Sequence, residues 1–446
     1  MTPSRPIPDD LLPSVGVELT AELRVRLERD LGPSAVSTDP ARLERLSVDW
    51  AHMSPILTER LPAGRADLIA TPTGAEEIPV ILRHAYELRI PVTPRGTGLG
   101  NYGQAIPLHG GLLLDVSACR AVLETGDGWV RAEAGVRMRD LDAAVHASGQ
   151  ELTIYPSTKG STLGGFLAGG SGGTGSITYG SNADGFVHAL DVAPCDGTGR
   201  MVTVSGDGTV PFVHAYGTTG IISRATVAIA PAHDWVGLYT AWDEYTAATA
   251  VMRELCAMDL TPRLISFDEA AVAALLPADP AIDPHRISVR AIIRAESTDD
   301  ARRIVGALGG EVLAARTGAN GADRLTSLSY NHSTFHLQKK LPDYFHLEVG
   351  GDLLQTDPDR VRSVYPDTLF HLEQFTGRVG GMLMARYESP EQVYAGMTEL
   401  EAMGISIHSP HTWILERRLD RVQAVLDEMD PLHLLNPGKL PATVEA

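Results

Sequence analysis

From Asp67 to Gly149, short apolar runs alternate with stretches in which apolar residues return every three or four positions, the pattern of a compact α/β unit. Asp67 to Ala70 predicts a short strand. Thr73-Gly74-Ala75-Glu76 is a capping-box sequence, and Ile78, Ile81, Leu82 and Ala85 follow it at helical spacing. Ile90 to Thr93 predicts a second strand and Leu112 to Val116 a buried one. Val130, Ala132, Ala134 and Val136 alternate as a half-exposed strand does, and Met138, Leu141 and Val145 mark a helix closed by Gly149. Ahead of this unit, a Pro-rich polar N-terminus reads as a loose arm. Short helices are expected at Thr20 to Leu31 and Asp39 to Leu46.

Beyond Pro231 the rhythm becomes strand, helix, strand: Val236 to Trp242, Tyr245 to Met258, Pro262 to Phe267. It repeats at Ile287 to Arg294, Thr298 to Leu308 and Glu311 to Ala315. A β-α-β-β-α-β order is the signature of a ferredoxin-like sheet with helices on one face. Tyr344 through Ile407 reads as another such passage. A boundary is therefore expected near residue 232. A long helix from Thr412 to Met429 and the tail His433 to Leu440 close the chain.

Two glycine-rich stretches interrupt this regularity. The first is Pro94-Arg95-Gly96-Thr97-Gly98-Leu99-Gly100-Asn101-Tyr102-Gly103-Gln104. In the second, nine of the 21 residues from Gly160 to Gly180 are glycine, enough to bring the main chain close to a ligand. Gly98 to Gly103 matches the GxGxxG dinucleotide fingerprint, and a strand precedes it. No helix can follow, because Pro107 and the pair Gly110-Gly111 come too soon, so a Rossmann turn is excluded. What remains is either a nest of main-chain N–H groups for a pyrophosphate, with Arg95 as counter-charge, or a long glycine turn. In the second stretch, Leu163, Phe166, Leu167 and Gly170 stand at helical spacing and Ser161 is placed to cap that turn. A flexible linker would not interleave Leu, Phe, Ile177 and Tyr179.

With 446 residues the chain is long for one core, and two or three domains are expected. A formal net charge of −19 argues against nucleic acid and anionic membranes, which need a basic face. No apolar run approaches membrane-spanning length. Cys119, Cys195 and Cys256 are too few and too scattered for a disulfide framework or a zinc knuckle. A cytoplasmic location is expected.

These stretches resemble the FAD-linked oxidases of the vanillyl-alcohol oxidase / p-cresol methylhydroxylase superfamily, in the style of the FAD subunits of glycolate oxidase and D-lactate dehydrogenase. The resemblance implies an α+β molecule: a PCMH-type FAD-binding domain of two α/β subdomains, plus a ferredoxin-like substrate or cap domain. On the boundaries above it gives an N-terminal arm and helices (1–59), the FAD domain (60–232), the cap (233–407) and a C-terminal segment returning to the FAD domain (408–446). The first loop is implied to wrap the FAD pyrophosphate, with the match on Pro94, Arg95, Gly96, Thr97, Gly98, Gly100 and Asn101. The second is implied to line the ribityl chain and ring. Its match falls on Pro156, Ser157, Thr158, Ser161, Thr162, Gly164, Gly165, Gly169, Gly172, Gly173, Ser176, Tyr179 and Gly180. Tyr216 to Thr226, with Gly220, Ile221 and Ile222, resembles the family's strand beside the adenine and flavin, and Leu435-Asn436-Pro437-Gly438-Lys439 resembles its returning tail. Some members attach FAD through a histidine in the first loop. None lies between Arg95 and Pro107 here, so the flavin is expected to be non-covalent. The family's His-Gly-Asp-Gly-Asn and Gly-Glu-His-Gly blocks are also missing, which weakens the case for a metal and for a 2-hydroxy acid.

The implied function is an FAD-dependent oxidoreductase, oxidase or dehydrogenase, that moves a hydride from a small alcohol, hydroxy acid or related metabolite onto flavin N5. Oxygen or a redox partner would be the electron acceptor, with a homodimer among the assemblies allowed. An NADPH-driven flavin reductase of the same fold and a non-enzymatic flavoprotein are the alternatives. A base must take the hydroxyl proton. His408 and His411 are candidates because imidazole titrates near neutral pH and because relatives carry a functional histidine there. Tyr330 opens the cluster Tyr330 to His336, in which His332 and His336 stand four apart without a third ligand, so no metal is assigned. Arg386 sits on an apolar strand, either to clamp a substrate carboxylate or to point outward.

Overall fold

The computed structural model describes residues 16–442 with the exception of residue 171, so most of the expected N-terminal arm lies outside the described residues. Three sheets organise the described residues. In the first, Leu68–Ala70, Leu112–Asp115 and Val92–Arg95 run parallel, with Val36–Ser37 as an antiparallel edge. The first two are buried along their whole length, which is why they read as unbroken apolar runs. Helix Glu77–Glu87 lays Ile78, Ile81, Leu82 and Ala85 on this sheet. Its start differs from the capping sequence. Glu77, not Glu76, reaches back to the Thr73 N–H at 2.7 Å, because Glu76 turns outward to pair with Arg224. The sheet edge at Val92 is closed by the tail of the chain. Val92 N–H donates to Leu434 O (2.8 Å) and Asn436 N–H donates to Val92 O (2.7 Å), so the C-terminal segment is pinned under the first glycine loop.

The second sheet is antiparallel, ordered Val122–Thr125, Trp129–Glu133, Ile221–Pro231, Val187–Ala193, Val202–Ser205, with Gln150–Leu152 also paired to the long central strand. The glycine-rich helix Leu163–Gly169 packs on that strand through Leu163, Phe166 and Leu167. Thr162 caps it, its hydroxyl accepting the Gly165 N–H at 3.2 Å. Ser161, the residue expected in this role, spends its own hydroxyl on Thr158 at 2.8 Å.

The third sheet has eight strands made of two ferredoxin-like halves. In the first half the order is Glu311–Thr317, Trp235–Trp242, Ile287–Arg294, Leu264–Asp268, that is fourth, first, third, second. In the second half it is the mirror, Leu369–Phe375, Arg378–Arg386, Tyr344–Gly350, Ser406–His408, and the two second strands pair at the centre. Strand alternation sorts the faces. Phe267, Val289, Ala291, Phe345, Leu347, Phe370 and Leu372 join the helices Tyr245–Cys256, Thr298–Ala307 and Pro390–Ala402 in one core. Their neighbours Asp268, Arg290, His346, Glu348, His371 and Glu373 point to the other face, toward the glycine loops. The closing helix is shorter than expected, Leu419–Met429. Buried Ile414 and Leu415, the bond from Leu415 N–H to Lys439 O (2.7 Å) and the left-handed Arg418 (φ 56°) hold the preceding residues as a loop.

Candidate active site

The two glycine loops face each other across a narrow crevice lined by Pro94 to Gly100, Ser161, Thr162, Gly164, Gly165, Gly169 and, from the long strand, Gly220, Ile221 and Ile222. Thr97 Oγ1 donates to Gly160 O across it at 3.1 Å. The crevice shares Leu99, Gly100, Gln104, Ser161, Gly165 and Gly169 with a larger cavity of about 1020 Å³ between the second loop and the eight-stranded sheet. Asn101, Pro156, Ser157, Thr158, Gly172 and Ser176 line that cavity.

The main chain here fits a pyrophosphate-bearing group. Among the described residues, the N–H groups of Thr97 through Asn101 donate to no protein acceptor, and neither do those of Ser157 through Gly160. These half-buried donors are open to a ligand, and two rows of them lining one crevice and its cavity fit an anion cradle. The glycines are required by close approach. A Cβ on Gly96 would lie 2.1 Å from Thr162 Oγ1, and one on Gly98 (φ 68°) would meet the Arg95 guanidinium. Arg95 is buried beneath the loop, one Nη donating to Val48 O at 2.6 Å and Nε without a partner.

Four residues expected at the cofactor lie elsewhere. Gly173 is packed against the Tyr155 carbonyl, and the Tyr179 side chain is exposed, away from the cavity. Asn436 and Lys439 brace the first loop from below. The Asn436 amide donates to Gln104 O and Tyr216 O, both at 2.8 Å, and Lys439 Nζ donates to Gly103 O at 2.6 Å.

The cavity wall opposite the loops carries two polar clusters. In the first, His408 Nδ1 meets Glu348 at 2.8 Å, and the Tyr102 hydroxyl donates to the other oxygen of that carboxylate. Burial pushes the Glu348 carboxyl up, but the charge and hydrogen bond of His408, with the Tyr102 hydroxyl, outweigh it and hold it down at about 2. His214 lies edge-on to His408, ring centroids 6.1 Å apart, and burial beside His408 and Arg417 lowers it to about 4, so it is neutral at pH 7. Arg417 and Arg418 stand at the exposed rim. In the second cluster, Glu373 accepts from Tyr330 N–H (2.9 Å), His371 Nε2 (2.9 Å) and Ser266 Oγ (3.0 and 3.1 Å). His371 Nδ1 meets Asp268 at 2.7 Å, and Asp268 pairs with Arg290. Burial pushes His371 down, but the two carboxylates outweigh it and lift it to about 9.

Of the residues proposed for chemistry from sequence, His408 and Tyr330 reach the cavity. The Tyr330 hydroxyl is already committed to Gly173 O at 2.6 Å. His411 does not reach it. It is buried with Nδ1 on Ser54 Oγ (2.7 Å) and His346 nearby, and burial with His346 lowers it to about 3. Arg386 ends its strand in solvent between Asp343 and Asp367, so it cannot clamp a substrate. Glu348, Tyr102, His214, Glu373 and His371 were missed. The pairs His346/Glu348 and His371/Glu373 on otherwise apolar strands were the legible signal, since polar residues two apart share one sheet face. Among the described residues no group of three or more His, Cys, Asp or Glu side chains is arranged to hold a metal ion.

Residues 66–205 match the family model described as an FAD binding domain. Residues 66–205 thus carry an FAD-binding domain of the PCMH type. Relatives include an uncharacterised FAD-linked oxidoreductase of Mycobacterium tuberculosis, 29% identical over 57% of this chain and 56% of its own. The glycolate oxidase subunit GlcD of Bacillus subtilis is 31% identical over 45% of each chain. The chain thus spans little more than half the length of the former relative. A solved alkyldihydroxyacetonephosphate synthase shares the fold across 97% of this chain and 89% of its own, with a TM-score of 0.75 and 16% identity. The mixed α+β architecture is therefore shared with that solved structure. Among the described residues, no helix is long and apolar enough to cross a membrane.

Proposed function

We propose that this protein is an FAD-dependent oxidoreductase that oxidises the CH–OH group of a small alcohol, hydroxy acid or related metabolite. The observation that carries this is the Tyr102–Glu348–His408 cluster on the wall of a cavity that continues from the glycine crevice. FAD, held between the main-chain N–H groups of Thr97 to Asn101 and Ser157 to Gly160, would supply a two-electron oxidant for that carbon. Glu348 fixes the His408 ring through Nδ1 and leaves Nε2 to accept the substrate hydroxyl proton, while the buried carboxylate stabilises the imidazolium that forms. Neutral His214 offers a second acceptor beside it. The absence of a histidine between Arg95 and Pro107 supports non-covalent FAD, and three cysteines without disulfides support a cytoplasmic setting. Oxygen or a redox partner would take the electrons from the reduced protein.

The test is anaerobic mixing of the FAD-loaded protein with a panel of alcohols and hydroxy acids. Bleaching of the oxidised flavin absorption by at least one of them is expected. A flavin that none of them reduces, yet NADPH reduces rapidly, would transfer the assignment to a reductase.

A further inference from the structure

The cavity offers more than one hydroxyl needs. The His408 cluster serves the carbon being oxidised, whereas Glu373 lies on the neighbouring half of the same sheet face, where no step of that reaction requires a carboxylate. Its side chain is only 2% exposed and lines the cavity beside Tyr330, Asn331 and His332. Every group that touches it is a donor: Tyr330 N–H, His371 Nε2 and Ser266 Oγ. Three of these contacts fall on one oxygen, while the other receives Ser266 alone and keeps accepting capacity. Tyr330 holds φ 54°, an uncommon conformation for a side-chain-bearing residue, and in it turns its N–H onto this carboxylate. The chain Arg290–Asp268–His371–Glu373 is buried and balanced in charge, so the carboxylate is built in place as an acceptor.

Resting on the oxidoreductase reading above, we infer that Glu373 is a specificity residue that accepts a hydrogen bond from a substrate hydroxyl distant from the oxidised carbon, so that the substrate class is a polyhydroxylated carbon chain, neutral or acidic, rather than a short 2-hydroxy acid. Glycolate and lactate carry no such second hydroxyl, and a short acid whose carboxylate turned toward Glu373 would face like charge. A longer chain places one hydroxyl at His408 and another at Glu373. An acidic end, where present, would lie toward the exposed Arg417 and Arg418.

Difference absorption of the FAD-loaded protein tests this, with sorbitol, gluconate, D-lactate and glycolate as probes. The wild type is expected to bind sorbitol or gluconate at least about tenfold more tightly than D-lactate or glycolate. Glu373→Gln is expected to weaken the polyhydroxylated probes about tenfold and to leave the binding of the short acids unchanged. Equal or tighter binding of the short acids by the wild type overturns the inference, even if Glu373→Gln fails to fold. So does a variant that folds and loses affinity for all probes alike. A wild type that takes up no FAD sinks the oxidoreductase reading instead, a separate result visible before any probe is added.

Discussion

The glycine crevice and the cap-sheet wall meet in one cavity but are built on opposite principles. In the crevice the ligand-facing groups are main-chain N–H donors from two contiguous segments, and side chains matter by being absent, as at Gly96 and Gly98. On the wall, the groups are side chains from distant parts of the chain: Tyr102, His214, Glu348, Glu373 and His408. The first construction tolerates no added atom, and the second tolerates no lost charge. Substitutions in the two regions should therefore fail in separable ways, one losing the cofactor and the other keeping it without its chemistry.

Gly96→Val carries the largest expected effect. Its side chain would collide with Thr162, and FAD content after purification should fall at least about tenfold while far-UV circular dichroism is retained. Glu348→Gln sharpens the contrast. FAD content should stay at the wild-type level, and flavin reduction by substrate should slow about 100-fold or more, because His408 loses the carboxylate that orients it and stabilises its charge.

Acid stability probes the buried histidines. His346 and His411 are buried and lowered to about 4 and about 3, so below about pH 6.5 the unfolded chain binds protons that the folded one refuses. Stability should thus fall as pH drops from about 6.5 toward 4, by up to about 1.4 kcal/mol per pH unit per histidine. The depressed Glu348 carboxyl adds a loss below its unfolded value of 4.5, through about 2. His371, raised to about 9, acts oppositely: its contribution is present below about 6.5 and is lost as pH rises through 9. Melting curves of wild type and His411→Leu between pH 4 and 7 check this, with a shallower acid slope expected for the variant. Tyr330→Phe, which removes the hydroxyl bond to Gly173 O, should cost about 1 kcal/mol and lower the melting temperature by a few degrees, with FAD retained. Arg386→Ala should change neither FAD content nor flavin reduction, and stability by less than about 0.5 kcal/mol, since its ion pairs are solvent-exposed.

The same contrast explains what the amino-acid sequence disclosed. Local signals sufficed for the crevice. Consecutive glycines, the strand before them and the failure of a helix to follow are all contained within a few residues. The β-α-β-β-α-β order of the cap was legible for the same reason, because each strand and helix announces itself by its own period. The wall was mostly illegible because its members meet only through topology. Glu348 and His408 come together through pairing of the strands Tyr344–Gly350 and Ser406–His408, and Tyr102 arrives from the first glycine loop. Arg386 and His411 show the converse. Residue type suggested chemistry, but strand end sent one to solvent and burial packed the other against Ser54 and His346. Asn436 and Lys439 lie close to the cofactor loop in space yet support it rather than line it, a distinction that motif matching cannot draw.

The most direct test of the central claim, that facing rows of main-chain amides grip FAD, is a calorimetric titration of flavin-free protein with FAD, run for the wild type and for Gly96→Val. One FAD per chain with micromolar or tighter affinity for the wild type, and loss of measurable binding in the variant, is the predicted result. Absence of FAD uptake by folded wild type, or equal affinity in the two proteins, would contradict it.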